Sequence, residues 1–120
     1  MPAEPSGRLT VHVLDTARGK PAQDLLFTLF RLDGDARMPL VASRTNADGR
    51  CDAPLLAGEA LLPGCYEVMF DVGSWRAANG DAEAGFYDLI PIRFRVTDAS
   101  AHYHIPLLLS PFGYTTYRGS

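Results

Sequence analysis

The chain is poor in cysteine: Cys51 and Cys65 are the only two among 120 residues. Residues 1–8 also lack the basic start and apolar stretch of a secretory signal. A small domain without an export signal keeps its thiols reduced, so both cysteines are expected to be free and the protein cytoplasmic. No apolar run approaches the roughly 20 residues needed to cross a bilayer. The longest candidate, Leu107 to Leu109, has a proline on either side, Pro106 and Pro111. No membrane partner is therefore expected.

Positive charge is scarce as well. Eleven Lys and Arg against fourteen Asp and Glu leave a formal net charge of −3, without the broad basic footprint of a nucleic-acid binder. Several chemical signatures are missing outright: Cys-x-x-Cys, His-Glu-x-x-His, a Gly-rich loop ahead of a helix, and Gly-x-Ser-x-Gly. Their absence removes sequence support for the common metal, phosphate and serine-nucleophile classes. There is no internal repeat and no low-complexity segment.

What is present is a globular composition, 47% hydrophobic and 21% charged, in a chain of one-domain length. Residues 1–7 read as a flexible lead-in and 8–120 as a single domain. Apolar residues recur in steps of two between Gly, Pro, Asn and Asp, the pattern of short half-buried strands. In Leu9 to Asp15, the residues Leu9, Val11 and Val13 share one face and leave Thr10 and His12 on the other. Strands are also expected over Leu25–Leu32 and Leu40–Thr45. The second of these leads to the tight-turn pair Asp48-Gly49, after which Arg50 opens a new strand.

Tyr66, Val68, Phe70 and Val72 alternate with Glu67, Met69 and Asp71. Ile90, Ile92, Phe94 and Val96 alternate with Arg93, Arg95 and Thr97. A short helix is expected over Gly73–Gly80, with Ser74 as its N-cap and Asn79-Gly80 as its end. Further strands cover His102–Leu109 and Tyr114 to the C-terminus. About seven or eight strands with one helix make an all-β domain, two antiparallel sheets packed as a sandwich. Periodicity alone leaves immunoglobulin-like, transthyretin-like and small-barrel arrangements open.

The candidates for chemistry are histidines. His12, His102 and His104 all fall off the apolar faces of their strands, and an imidazole serves as a base near neutrality. A solvated side chain is the ordinary fate of a histidine so placed. His102-x-His104 as a zinc pair lacks a third ligand at suitable spacing, so no metal and no cofactor is expected. The closing Tyr117-Arg118-Gly119-Ser120 gathers a ring, a guanidinium and a hydroxyl where chains usually fray. It reads either as a strand docked on a sheet edge or as a site for an anionic or planar ligand.

Three segments carry a resemblance. Leu9-Thr10-Val11-His12-Val13-Leu14-Asp15, followed by Gly19-Lys20-Pro21-Ala22, resembles the opening strand of transthyretin-like proteins. His102-Tyr103-His104-Ile105-Pro106-Leu107-Leu108-Leu109-Ser110-Pro111 and Tyr114-Thr115-Thr116-Tyr117-Arg118-Gly119-Ser120 resemble the end of 5-hydroxyisourate hydrolases of that family. The resemblance covers about Gly7 to Ser120, with the terminal Tyr-Arg-Gly-Ser as its most specific part.

It implies a transthyretin-like sandwich and a homotetramer, a dimer of dimers, with sites opening into a channel between dimers. It also implies hydrolysis of 5-hydroxyisourate to 2-oxo-4-hydroxy-4-carboxy-5-ureidoimidazoline in urate degradation. His12, Arg50, His104 and Ser120 are implied as catalytic. Arg50, Tyr117, Arg118, Gly119 and Ser120 are implied as substrate-binding. A non-catalytic carrier of a planar ligand is the alternative from another class, and it has no need of two imidazoles and two guanidiniums.

Overall fold

A computed structural model describes residues 6–81, 83 and 85–120. Residues 1–5 of the expected lead-in, and 82 and 84 in the loop after the helix, lie outside the described residues. The strands in chain order are β1 (Arg8–Asp15), β2 (Lys20–Pro21), β3 (Leu26–Asp33), β4 (Ala36–Arg44), β5 (Leu56–Ala57), β6 (Gly64–Asp71), β7 (Leu89–Val96), β8 (His102–Ser110) and β9 (Gly113–Thr116). Among the described residues there is one α-helix, α1 (Val72–Ala78), which follows β6. One sheet runs β2-β1-β8-β9, with β5 also on β1; the other runs β4-β3-β6-β7.

The sandwich is the expected all-β arrangement, and the core faces are those that alternation picks out. Leu9, Val11 and Val13 from one sheet are sealed against Tyr66, Val68 and Phe70 from the other. Each such aliphatic side chain contributes about 1.5–3 kcal/mol on leaving water. One pairing is not antiparallel: β1 and β8 run parallel along their length. A parallel pair needs a crossover connection, and here the intervening chain builds the whole second sheet.

Local departures from the sequence reading have local causes. The β3–β4 hairpin turns on Gly34, at φ 58°, so β4 starts at Ala36 rather than Leu40. As a largely exposed edge strand it shows little alternation. The N-cap of α1 is Asp71, not Ser74: the Asp71 carboxylate accepts from the Ser74 amide at 3.2 Å. Residues 50–55 do not form the strand expected to open at Arg50: the chain bonds β1 at Val13 and again at Leu9, where the Leu55 amide donates to Leu9 O at 2.8 Å, and regular pairing begins only with β5. The last strand ends at Thr116 instead of running to the terminus.

Glu67 lies on the outward face as alternation requires, yet it is 1% exposed. Arg37 donates to its carboxylate from one side at 3.1 Å and Arg93 from the other at 2.8 Å. Both cysteines are free.

Candidate functional site

The parallel pairing sets Thr10 opposite His104, Arg8 opposite His102 and His12 opposite Pro106. Leu9, Val11, Tyr103 and Ile105 point into the core, so the residues between them present a polar strip on the outer face of the sheet. The His12 and His104 ring centroids are 6.3 Å apart. Thr10 Oγ1 lies 2.7 Å from His104 Nδ1.

Arg50 reaches this strip because of the turn before it. The Asn46 side-chain oxygen accepts from the amides of Asp48 at 2.9 Å and Arg50 at 3.1 Å. Gly49, at φ 75°, lies so close to Val13 O that a Cβ would collide with it. Its own carbonyl accepts from the Val13 amide at 2.8 Å. Only glycine combines that backbone conformation with that approach, and the result is an Arg50 carried to the side of β1.

The last four residues fold back across β8. The Gly119 amide donates to His104 O at 2.8 Å, forming an isolated bridge beyond β9. A Cβ on Gly119 would sit 2.5 Å from His104 Cδ2, so only a bare α-carbon fits against the ring. Ser120 then lines a cavity of about 250 Å³ with Thr10, Arg50, His104, Arg8 and His102, and His12 stands beside it.

Arg118 goes elsewhere. Its guanidinium stacks 4.5 Å above the Tyr103 ring and donates to His102 O at 3.2 Å. With Tyr117 it lines a second cavity of about 260 Å³, bordered by Ile92 and Phe94. Within one chain, then, His12, Arg50, His104 and Ser120 gather, whereas the Arg118 side chain ties the last segment to His102 and Tyr103 and Tyr117 stays largely exposed.

Burial, and next the positive charge of Arg50, push His12 below its ordinary pKa of 6.5, against a smaller upward pull from Asp48. His104 is lowered by burial, then by Arg50 and by His12. Both rings are therefore neutral at pH 7 and able to accept a proton. Cys51 also lines the cavity, but burial and then Asp52 push its thiol up, so it is no thiolate nucleophile. Among the described residues, no group of three or more His, Cys, Asp or Glu is placed to hold a metal ion. No described helix is long and apolar enough to cross a membrane.

The sequence reading missed Thr10, Arg8 and Cys51 as residues of the cavity. Thr10 was recognisable only as sharing the outer face with His12. Its contact with His104 depends on a strand pairing across 94 residues.

The fold and the polar strip together define a transthyretin-like β-sandwich protein. A model of the HIUase/Transthyretin family matches residues 9–119, and the chain belongs to that family. It is 55% identical over 116 residues to a 5-hydroxyisourate hydrolase of Ralstonia nicotianae, covering 95% of this chain and 99% of the relative. Among solved structures it is similar to the 5-hydroxyisourate hydrolase of Klebsiella pneumoniae, at TM-score 0.81 and 33% identity over 95% of this chain and 99% of that one. It is also similar to transthyretin from Sparus aurata, at TM-score 0.84 and 27% identity over 93% of this chain and 96% of that one.

Proposed function

We propose that this protein is an enzyme that hydrolyses 5-hydroxyisourate to 2-oxo-4-hydroxy-4-carboxy-5-ureidoimidazoline, by attack of histidine-activated water on the cyclic amide between N1 and C6. The observation that carries the reading is the convergence of His104, Arg50 and Ser120 on one small polar cavity, with His12 at its side. The names of the bacterial relatives support the same substrate.

Water is a weak nucleophile at pH 7, and a positioned neutral imidazole that takes its proton in the transition state is worth roughly 10²–10⁴-fold. His12 and His104 are the two candidates. The attack places negative charge on the carbonyl oxygen, and Arg50 stabilises that charge more than it stabilises the neutral substrate. Ser120 positions substrate or water, while Tyr117, Arg118 and Gly119 complete the binding segment. A covalent acyl-serine has no support, since no triad spacing signal accompanies Ser120 and, among the described residues, no hydrogen bond joins its hydroxyl to a base.

The cavity opens on the outer face of a sheet, so a second subunit supplies its opposite wall in a homotetramer built as a dimer of dimers. A non-catalytic carrier would not require two neutral imidazoles beside a guanidinium. The deciding experiment follows the ring-opening absorbance change of freshly generated 5-hydroxyisourate with and without the protein. Acceleration over spontaneous decay is expected; an unchanged decay rate at micromolar protein refutes the hydrolase reading.

A further inference from the structure

We propose that Thr10 is the positioning residue of this site: its hydroxyl accepts the Nδ1 proton of His104, so that Nε2 carries the lone pair and His104 is poised to act as a base. The inference rests on the hydrolase reading above and deepens it.

Two contacts fix the His104 ring at the atoms flanking its Cγ. Thr10 Oγ1 stands 2.7 Å from Nδ1, and the Gly119 α-carbon packs against the Cδ2 edge so tightly that a Cβ there would fall at 2.5 Å. The ring can neither flip nor swing without losing one contact or colliding with the other. Cε1 and Nε2 remain for the cavity, and Nε2 is the only nitrogen left to meet substrate. His12 is held differently, by a hydrogen bond to the Asp48 backbone, so a base oriented by a side-chain hydroxyl is found at His104.

The chemistry sets the direction of the hydrogen bond. As water attacks, its oxygen bonds to C6, an O–H bond breaks, and the proton moves to Nε2; Arg50 faces the oxygen that gains charge. The ring now carries protons on both nitrogens, and Nδ1–H needs an acceptor. A hydroxyl supplies one with no change of position, because it has two lone pairs and rotates freely. When the C6–N1 bond breaks, Nε2 returns its proton to N1. One water is consumed, a carboxylic acid forms and ionises to solvent, and the imidazole is regenerated.

The titratable and charged groups around His104 are His12 from β1 and Arg50 from the turn before β5, Arg8, Cys51 and His102 in the same cavity, and Arg93, Arg95, Tyr103, Tyr117 and Arg118 in the second cavity, which His104 also borders. None of these supplies an acceptor to Nδ1.

The test compares the parent with Thr10→Val and Thr10→Ser. Valine keeps the shape and strand preference of threonine, so the fold should persist. Thr10→Val is expected to lose roughly ten- to a hundredfold in kcat through misplacement of the base, with KM little changed, and its acidic limb should move to lower pH because the imidazolium has lost its acceptor. Thr10→Ser should restore rate and profile. Nitrogen-15 NMR of His104 should show the Nδ1–H tautomer in the parent and a mixture in Thr10→Val.

Parental kcat in Thr10→Val, or an Nε2–H tautomer in the parent, overturns the proposal. A drop in kcat that serine does not restore assigns Thr10 a packing role and also overturns it. If the parent fails to open 5-hydroxyisourate at all, the hydrolase reading and the base role fall together, while NMR still scores the Thr10–His104 hydrogen bond by itself.

Discussion

Replacing Gly119 by alanine adds one methyl group where the site has no room for it. The new Cβ would stand 2.5 Å from His104 Cδ2 and 3.2 Å from Pro106 Cγ. Carbon atoms settle at about 3.5–4.0 Å, so something must yield by about 1 Å. Pro106 is buried within β8 and the His104 ring is held by Thr10, which leaves a displaced last segment or a turned imidazole. Either outcome moves reacting groups by an amount that costs about 10²-fold in rate.

The subunit should barely notice. Gly119 has no positive φ, so alanine brings no backbone strain. The native bonds at risk are few, from its amide to His104 O, from Arg118 to His102 O and between Thr10 and His104, each worth about 0.5–1.5 kcal/mol net. Initial rates with freshly generated 5-hydroxyisourate, corrected for spontaneous decay, would be read beside a thermal melt. A rate within threefold of the parent, with the melt unchanged, would show that contact between this segment and the histidine is irrelevant to catalysis.

Other outcomes follow from the same geometry. His12→Ala and His104→Ala should fold normally, because both side chains lie off the core, yet lose most of the rate; activity within threefold of the parent in both would exclude imidazole catalysis. Both histidines are pushed below pKa 6.5, and an imidazole serves as a base only when neutral. Activity should therefore persist below pH 6.5 and decline as acidity passes through the depressed values; a pH–rate profile already falling above neutrality would contradict this. The parent should sediment as a tetramer at four times the 13.1 kDa chain, about 52 kDa, and deleting residues 117–120 should abolish turnover while that tetramer and the far-ultraviolet circular dichroism signal persist. If the truncated protein retains the parental rate, Ser120 and the segment before it take no part.

Much of this was legible in the chain as written. Alternation identified the core faces of β1, β6, β7 and β8, because a two-residue period is a local property that burial of one face imposes directly. The outward placement of His12 and His104 followed from the same rule. The Asp48-Gly49 pair marked the turn that carries Arg50, although the strand expected after it did not form. Alternation failed on β4, an edge with little to bury, and at Glu67, whose burial depends on guanidiniums contributed by two other strands.

The sequence by itself determined which residues face inward, where the chain turns, and which side chains are chemically able to act at neutral pH. Those outcomes depend on backbone geometry and side-chain chemistry over a few neighbouring positions. Only the tertiary structure decided that β1 and β8 lie side by side and parallel, since pairing across 94 residues is set by how two whole sheets bury their faces against each other. That register puts the Thr10 hydroxyl on His104. It also bridges Gly119 to His104, while the Arg118 guanidinium stacks on the Tyr103 ring instead of entering the cavity.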